Sequence, residues 1–184
     1  MSQKPQLIAA CVVHGLRPDA GQDGVTAIDK RPVDGPVLVR TLGLYGDVQV
    51  SRKHHGGVDK ALYAYAQDDA DFWSGELGRE LAAGWFGENL RVGSLDISGA
   101  RIGERWRIGP RVVVEVTMPR TPCATFARWV GGADERGWVK RFAAEGRPGA
   151  YLRVVTPGTI EAGDAIEVLG APEGAPTITE VFST

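Results

Sequence analysis

The stretch 112–118 (VVVEVTM) is a dense β-branched run. Side chains branched at Cβ lose rotamer freedom in a helix and pack well on a pleated surface. It is therefore read as a central strand. Pro110 marks a turn before it, and Pro119 and Pro122 end it and fix a rigid loop. The same punctuation recurs along the chain. The 25 glycines and 11 prolines are about a fifth of the 184 residues, against roughly an eighth on average. Such a chain favours many short strands over long helices. Residues 7–13 read as a first buried strand, 37–41 and 47–50 as short ones, and 61–65, 101–108, 150–155 and 165–169 as further strands. Helical spacing places Phe72, Trp73, Leu77 and Leu81 on one face of a helix over 68–81, with Asp68 or Asp69 as its N-cap. A second helix is expected over 134–145, with Trp138, Val139 and Phe142 on one face. The expected fold is a mostly β domain, a β-barrel with two or three α-helices packed outside. One domain spans 1–169, and the Gly-, Pro- and Ala-rich stretch 170–176 links it to a short tail ending at 184.

Composition excludes several classes. A chain of 184 residues has room for one core of its own. With 21 basic and 23 acidic side chains, the net charge is -2, and the arginines are spread along the sequence. This argues against a polybasic nucleic-acid binder, and 43% hydrophobic residues argue against disorder. Two cysteines, Cys11 and Cys123, exclude a disulfide framework, a four-cysteine zinc site and a four-cysteine iron–sulfur cluster. The apolar run 7–13 is far too short to span a bilayer, and His14-Gly15-Leu16-Arg17 after it is no signal-peptide cleavage site. A cytoplasmic, non-membrane protein is expected. No G-x-G-x-x-G, P-loop, G-x-S-x-G or H-E-x-x-H sequence occurs.

Three local groupings carry possible chemistry. Residues 53–60 (KHHGGVDK) combine two histidines, two glycines and three charges. Paired glycines let backbone approach a ligand and free amides to meet an anion, and a polar hairpin loop is the plain alternative. Adjacent histidines in a strand point to opposite faces, so at most one meets a site. Residues 85–90 (WFGENL) contain Asn89, the one asparagine of the chain. Its amide both donates and accepts, which suits a substrate amide, a pterin edge or an oxo group, and equally a turn or cap. Residues 118–125 (MPRTPCAT) set Cys123 at a strand end and helix start beside Arg120. Both neighbours favour a thiolate, and a buried structural thiol is the alternative. Cys11, inside an apolar run, reads as an inert core residue.

The stretches GLYGDVQV (43–50), HHGGVDKALYAY (54–65), FGENL (86–90), IGERWRIG (102–109) and PRTPC (119–123), with AIDKRPVDGPV (27–37), match together in order and spacing. On them the chain resembles the MOSC domain family, named for the C-terminal region of molybdenum cofactor sulfurase, in its stand-alone bacterial YiiM-like branch. The match covers residues 7–169. The resemblance implies a β-barrel-like fold and the molybdenum cofactor, a molybdopterin, with Cys123 ligating the metal or carrying sulfur. It implies reduction of N-hydroxylated bases and related N-oxygenated compounds. Carried over by position, Cys123, His55 and Asn89 form the catalytic set. Arg120 and Thr121 hold the pterin phosphate or orient the Cys123 loop, and Lys53, Asp59 and Lys60 are further pocket residues. His55 is the expected proton donor to the departing oxygen. The chain carries no recognisable flavin, haem or pyridoxal phosphate site, so a separate NAD(P)H-dependent flavoprotein is the expected electron donor. Larger family members have an additional N-terminal barrel, for which there is no room before residue 7. The tail after Gly170 is a candidate substitute, across a homodimer interface. Two other readings stay open: a sulfur carrier using a Cys123 persulfide, and a cofactor-binding module without turnover.

Overall fold

A computed structural model of the chain describes residues 4–50 and 56–184. The strands are β1 (Gln6–Val13), β2 (Arg17–Pro18), β3 (Val25–Thr26), β4 (Lys30–Pro32), β5 (Val37–Arg40), β6 (Gly43–Leu44), β7 (Leu62–Ala66), β8 (Leu90–Gly93), β9 (Arg105–Ile108), β10 (Val112–Pro119), β11 (Ala150–Thr156), β12 (Gly158–Ile160) and β13 (Ile166–Gly170). The α-helices are α1 (Gln67–Leu77), α2 (Ala124–Val130), α3 (Trp138–Ala144) and α4 (Ile178–Phe182). Eight strands form one sheet in the order β13-β9-β10-β11-β7-β8-β1-β4, antiparallel except for the parallel pair β7–β8. The sheet curls until β1 meets the chain just before β13. Leu7 N–H donates to Asp164 O at 2.8 Å, Gly163 N–H to Leu7 O at 2.8 Å, and Ile166 N–H to Pro5 O at 2.9 Å. The expected mostly β, barrel-like fold with outer helices is the fold observed. The 112–118 run is a central strand, paired with β9 on one side and β11 on the other.

Alternation along the strands builds two cores. Leu62, Ala64 and Ala66 of β7 join Leu7, Leu90, Trp106, Val114 and Leu152 in the barrel interior. Tyr63 and Tyr65, one position out of phase, point to the helix layer with Trp73, Phe86, Phe126, Trp138 and Phe142. Strand β7 is thus buried on both faces, so every residue of it is apolar or aromatic. No described helix is long and apolar enough to cross a membrane.

Several local expectations are corrected. Residues 47–50 form no strand, because the Asp47 carboxylate accepts from Val13 N–H at 2.9 Å and is committed to a side-chain network. Helix α1 starts after Ala66 rather than at an aspartate cap. It stops at Gly78, whose left-handed backbone donates to Ser74 O and Gly75 O. Leu81 lies beyond that stop but still packs in the outer core. The 134–145 helix is interrupted by Gly137 in the left-handed region, leaving α3. Trp138 and Phe142 are buried there, and Val139 faces out. The strand expected from 101 begins only at Arg105, after a turn at Gly103. In the tail, Thr177 and Glu180 form a capping box that starts α4, and Ile178 is fully buried against the barrel core.

Candidate functional site

Strand β10 ends at Pro119, which still pairs with Ala150, and the chain then leaves the sheet as a loop before α2. That loop sets Arg120, Thr121, Pro122 and Cys123 along one side of a cleft of about 810 Å³. Cys123 is the residue before the first turn of α2, with an extended backbone, and its carbonyl accepts from Ala127 N–H at 3.1 Å. Its side chain is half-buried, packed against the outer core while lining the cleft.

Arg120 lines the same cleft and is buried. Its guanidinium lies 4.2 Å from the ring centre of Phe126 and 5.4 Å from that of Tyr63. It lies beside the Tyr151 phenol, and its Nη1 has no hydrogen-bond partner among the described residues. Burial pushes the phenols of Tyr63 and Tyr151 up, so both stay neutral beside this cation. A buried guanidinium with an unused donor is costly unless an acceptor, best an anion, completes it.

Lys30 and Asn89 also line the cleft. The Lys30 ammonium is paired with Asp47, whose Oδ2 accepts from Asn89 Nδ2 at 2.8 Å. Asn89 Nδ2 also donates to Cys11 O at 3.2 Å, and Asn89 Oδ1 accepts from Tyr63 N–H at 3.1 Å. One amide therefore ties β1, β7 and the Asp47 loop together, which commits both of its N–H groups. Next to it, Glu88 is wholly buried. It accepts from Gly84 N–H at 2.7 Å and Phe86 N–H at 3.0 Å and pairs with buried Arg91 at 2.6 Å. That pair shapes the turn that brings Phe86 and Gly87 to the cleft.

The sequence-predicted residues divide clearly. Cys123, Arg120, Thr121, Asn89 and Lys60 meet in one cleft. The Lys60 ammonium sits 5.7 Å from the Tyr151 ring centre. Asp59 is not among the lining residues. It is exposed and pairs with Arg153 at 2.7 Å. Lys53 and His55 lie outside the described residues. Cys11 is fully buried in β1, with its thiol pushed up by burial. Lys30, Tyr63, Tyr151, Asp19 and Arg128 line the cleft without having been singled out from the sequence. Lys30 and Asp47 did lie inside two of the matching stretches, and that was their one available signal. The IGERWRIG stretch serves the barrel instead: Trp106 and Ile108 fill its interior.

Among the described residues, no three His, Cys, Asp or Glu side chains converge to hold a metal ion. The chemistry on offer is one accessible thiol, one buried cation with a free donor, further ammonium charge and aromatic walls.

The model of the MOSC domain family matches residues 51–167. The uncharacterized protein YflK of Bacillus subtilis is 34% identical over 148 residues, which are 80% of this chain and 65% of YflK. YiiM of Escherichia coli is 31% identical over 147 residues, 78% of this chain and 64% of that protein. A Gibberella moniliformis protein named as a reductase is 32% identical over 158 residues, 83% of this chain but 27% of its own length. The chain thus spans less than two thirds of each of these relatives. Among solved structures, YiiM from Geobacillus stearothermophilus superposes with a TM-score of 0.76 at 28% identity, covering 97% of this chain and 82% of that one. With a family model spanning more than half of it, a thiol-bearing cleft and this fold, the chain belongs to the MOSC domain family.

Proposed function

We propose that the chain is a molybdenum-cofactor-dependent reductase of N-hydroxylated bases and related N-oxygenated compounds, acting in the cytoplasm. The observation that carries this reading is the pairing of the Cys123 thiol with the unused Nη1 of buried Arg120 in one cleft. These residues fit a molybdopterin. A thiolate is a soft ligand suited to the metal, while Arg120 supplies a fixed positive charge with an unused donor for its phosphate or dithiolene. When bound, such a cofactor supplies two-electron, oxygen-accepting chemistry.

The chain's own part is to hold and to orient. Cys123 provides the protein sulfur. Arg120, confined by Phe126, Tyr63 and Tyr151, provides a rigid donor. The rings of Tyr63 and Tyr151 at the cleft wall give aromatic edge for a planar base. In this reading Thr121 and Lys60 contact the pterin, and Asn89 keeps the cleft floor in register. His55 delivers the proton to the departing oxygen. If His55→Ala kept full turnover with metal bound, that assignment would be wrong. Electrons come from a separate NAD(P)H-dependent flavoprotein. The family match and the relative named as a reductase support the general class.

The test is molybdenum and released pterin per chain, in wild type, Cys123→Ser and Arg120→Met purified from a host that makes the cofactor. The expected result is near-stoichiometric metal in wild type, lost in Cys123→Ser and reduced in Arg120→Met. Metal-free wild type that also refuses added cofactor, but releases cyanide-labile sulfur from Cys123, would replace this reading with sulfur carriage.

A further inference from the structure

Hairpin β2–β3, with its connecting residues, lines the same cleft as Cys123 through Asp19, Gly21, Gln22, Asp23, Val25 and Thr26. Its own ladder is two residue pairs, too little to hold it in place alone. At its base Arg17 pairs with Asp29 at 2.6 Å. Nearer the tip, the tie is to helix α2, which begins just after Cys123. Asp19 Oδ1 accepts from Arg128 Nε at 2.7 Å, and Asp19 Oδ2 accepts from Arg128 Nη2 at 2.7 Å and Thr125 Oγ1 at 2.9 Å. Gly21 N–H donates to the same Oδ2 at 3.1 Å. This fork-to-fork geometry resists rotation as well as separation. The sequence also makes room for it: a Cβ on Gly21 would stand 2.7 Å from Asp19 Oδ2 and 3.3 Å from Arg128 Nη2.

We propose that Asp19 is a positioning residue whose carboxylate clamps hairpin β2–β3 to the Cys123 end of α2, and so sets how large a molecule reaches the Cys123 thiol. The clamp makes the hairpin a size filter on the cleft. It rests on Cys123 being the working residue, but access to the thiol is measurable without any cofactor. A failed clamp and a failed cofactor reading are therefore told apart.

The experiment compares modification of Cys123 by N-ethylmaleimide and by a polyethylene glycol maleimide, on purified full chain, with the label assigned by peptide mass spectrometry. Both reagents attack through the same group, so the ratio of their rates reports passage and cancels thiol reactivity. The ratio of bulky to small reagent is expected to rise about tenfold in Asp19→Ala and Arg128→Ala. Gly21→Ala, which crowds the clamp without removing it, raises it less. Arg128→Lys, which retains one contact, restores it partly. Label on buried Cys11 marks any variant that has unfolded. Arg128→Ala, shown to be folded by circular dichroism and by an unlabelled Cys11, decides the matter. A ratio within twofold of wild type in that variant overturns the proposal.

Discussion

Replacing Asn89 by alanine separates a floor-building residue from a reacting one. The side chain is 3% exposed and makes three hydrogen bonds, to Tyr63 N–H, Cys11 O and Asp47 Oδ2. Alanine leaves Tyr63 N–H without that acceptor inside a strand buried on both faces, and Cys11 O without that donor. Each stranded buried group costs roughly 1–3 kcal/mol. Asp47 keeps Lys30 and Val13 N–H, so its loss is small. The total is about 2–6 kcal/mol, equivalent to about 4–24 °C in Tm for a domain of this size. Urea unfolding followed by tryptophan fluorescence measures it. Asn89→Asp sharpens the test, because it sets a carboxylate oxygen where Nδ2 stood, 2.8 Å from Asp47 Oδ2. At neutral pH it is expected to be at least as unstable as the alanine variant, and to recover in part as the new carboxylate is protonated. A stability loss below about 1 kcal/mol in Asn89→Ala, with turnover abolished, would refute this reasoning and make Asn89 a substrate-contacting group.

Glu88→Gln strands the buried Arg91 charge, and unfolding should show a loss of about 3–5 kcal/mol. Gly149→Ala should be among the worst single-methyl additions, because its φ is 69° and the new Cβ would lie 2.6 Å from Ala64 O. Little soluble protein at 37 °C, checked by expression and circular dichroism, is the expected result. The Asp19 carboxyl is lowered from its ordinary 3.8 to about 2, first by the hydrogen bonds from Arg128. Its contribution to stability is therefore complete above about pH 4 and lost as the pH falls toward 2. Asp19→Asn should flatten that part of the acid-unfolding curve, and an unchanged curve would mean the clamp does not persist in solution.

The elements legible in the sequence were those whose pattern is local. The β-branched run of β10, the apolar run of β1 and the alternation of β7 each carry their own period. Helix α2 escaped an explicit assignment because its seven residues, ATFARWV, are too few to display a helical period. It owes its stability to Phe126, Ala127 and Val130 packing in the outer core. The break at Gly137 escaped for a related reason, since one left-handed glycine inside a helical pattern leaves the apolar spacing almost untouched. At the site, the PRTPC loop could be found because proline, arginine and cysteine each carry distinct chemistry in sequence. Lys30 and Asp47 could not be found that way, because their partnership exists only once β4 lies beside β1. Asn89 was found for its chemistry, and the structure adds that its N–H groups are spent on backbone and Asp47.

The seam of the barrel bears on how the protein is made. Residues 5–7 bond to residues 163–166, so the barrel closes only once residue 166 has left the ribosome. Until then the first half of β1 has β8 along one side and an open row of amides and carbonyls along the other. Pairing of such sequence-distant segments is slow, because loop closure must precede the reward. The nascent chain thus carries an exposed, apolar-flanked edge for most of its synthesis, and that interval is when aggregation competes with folding.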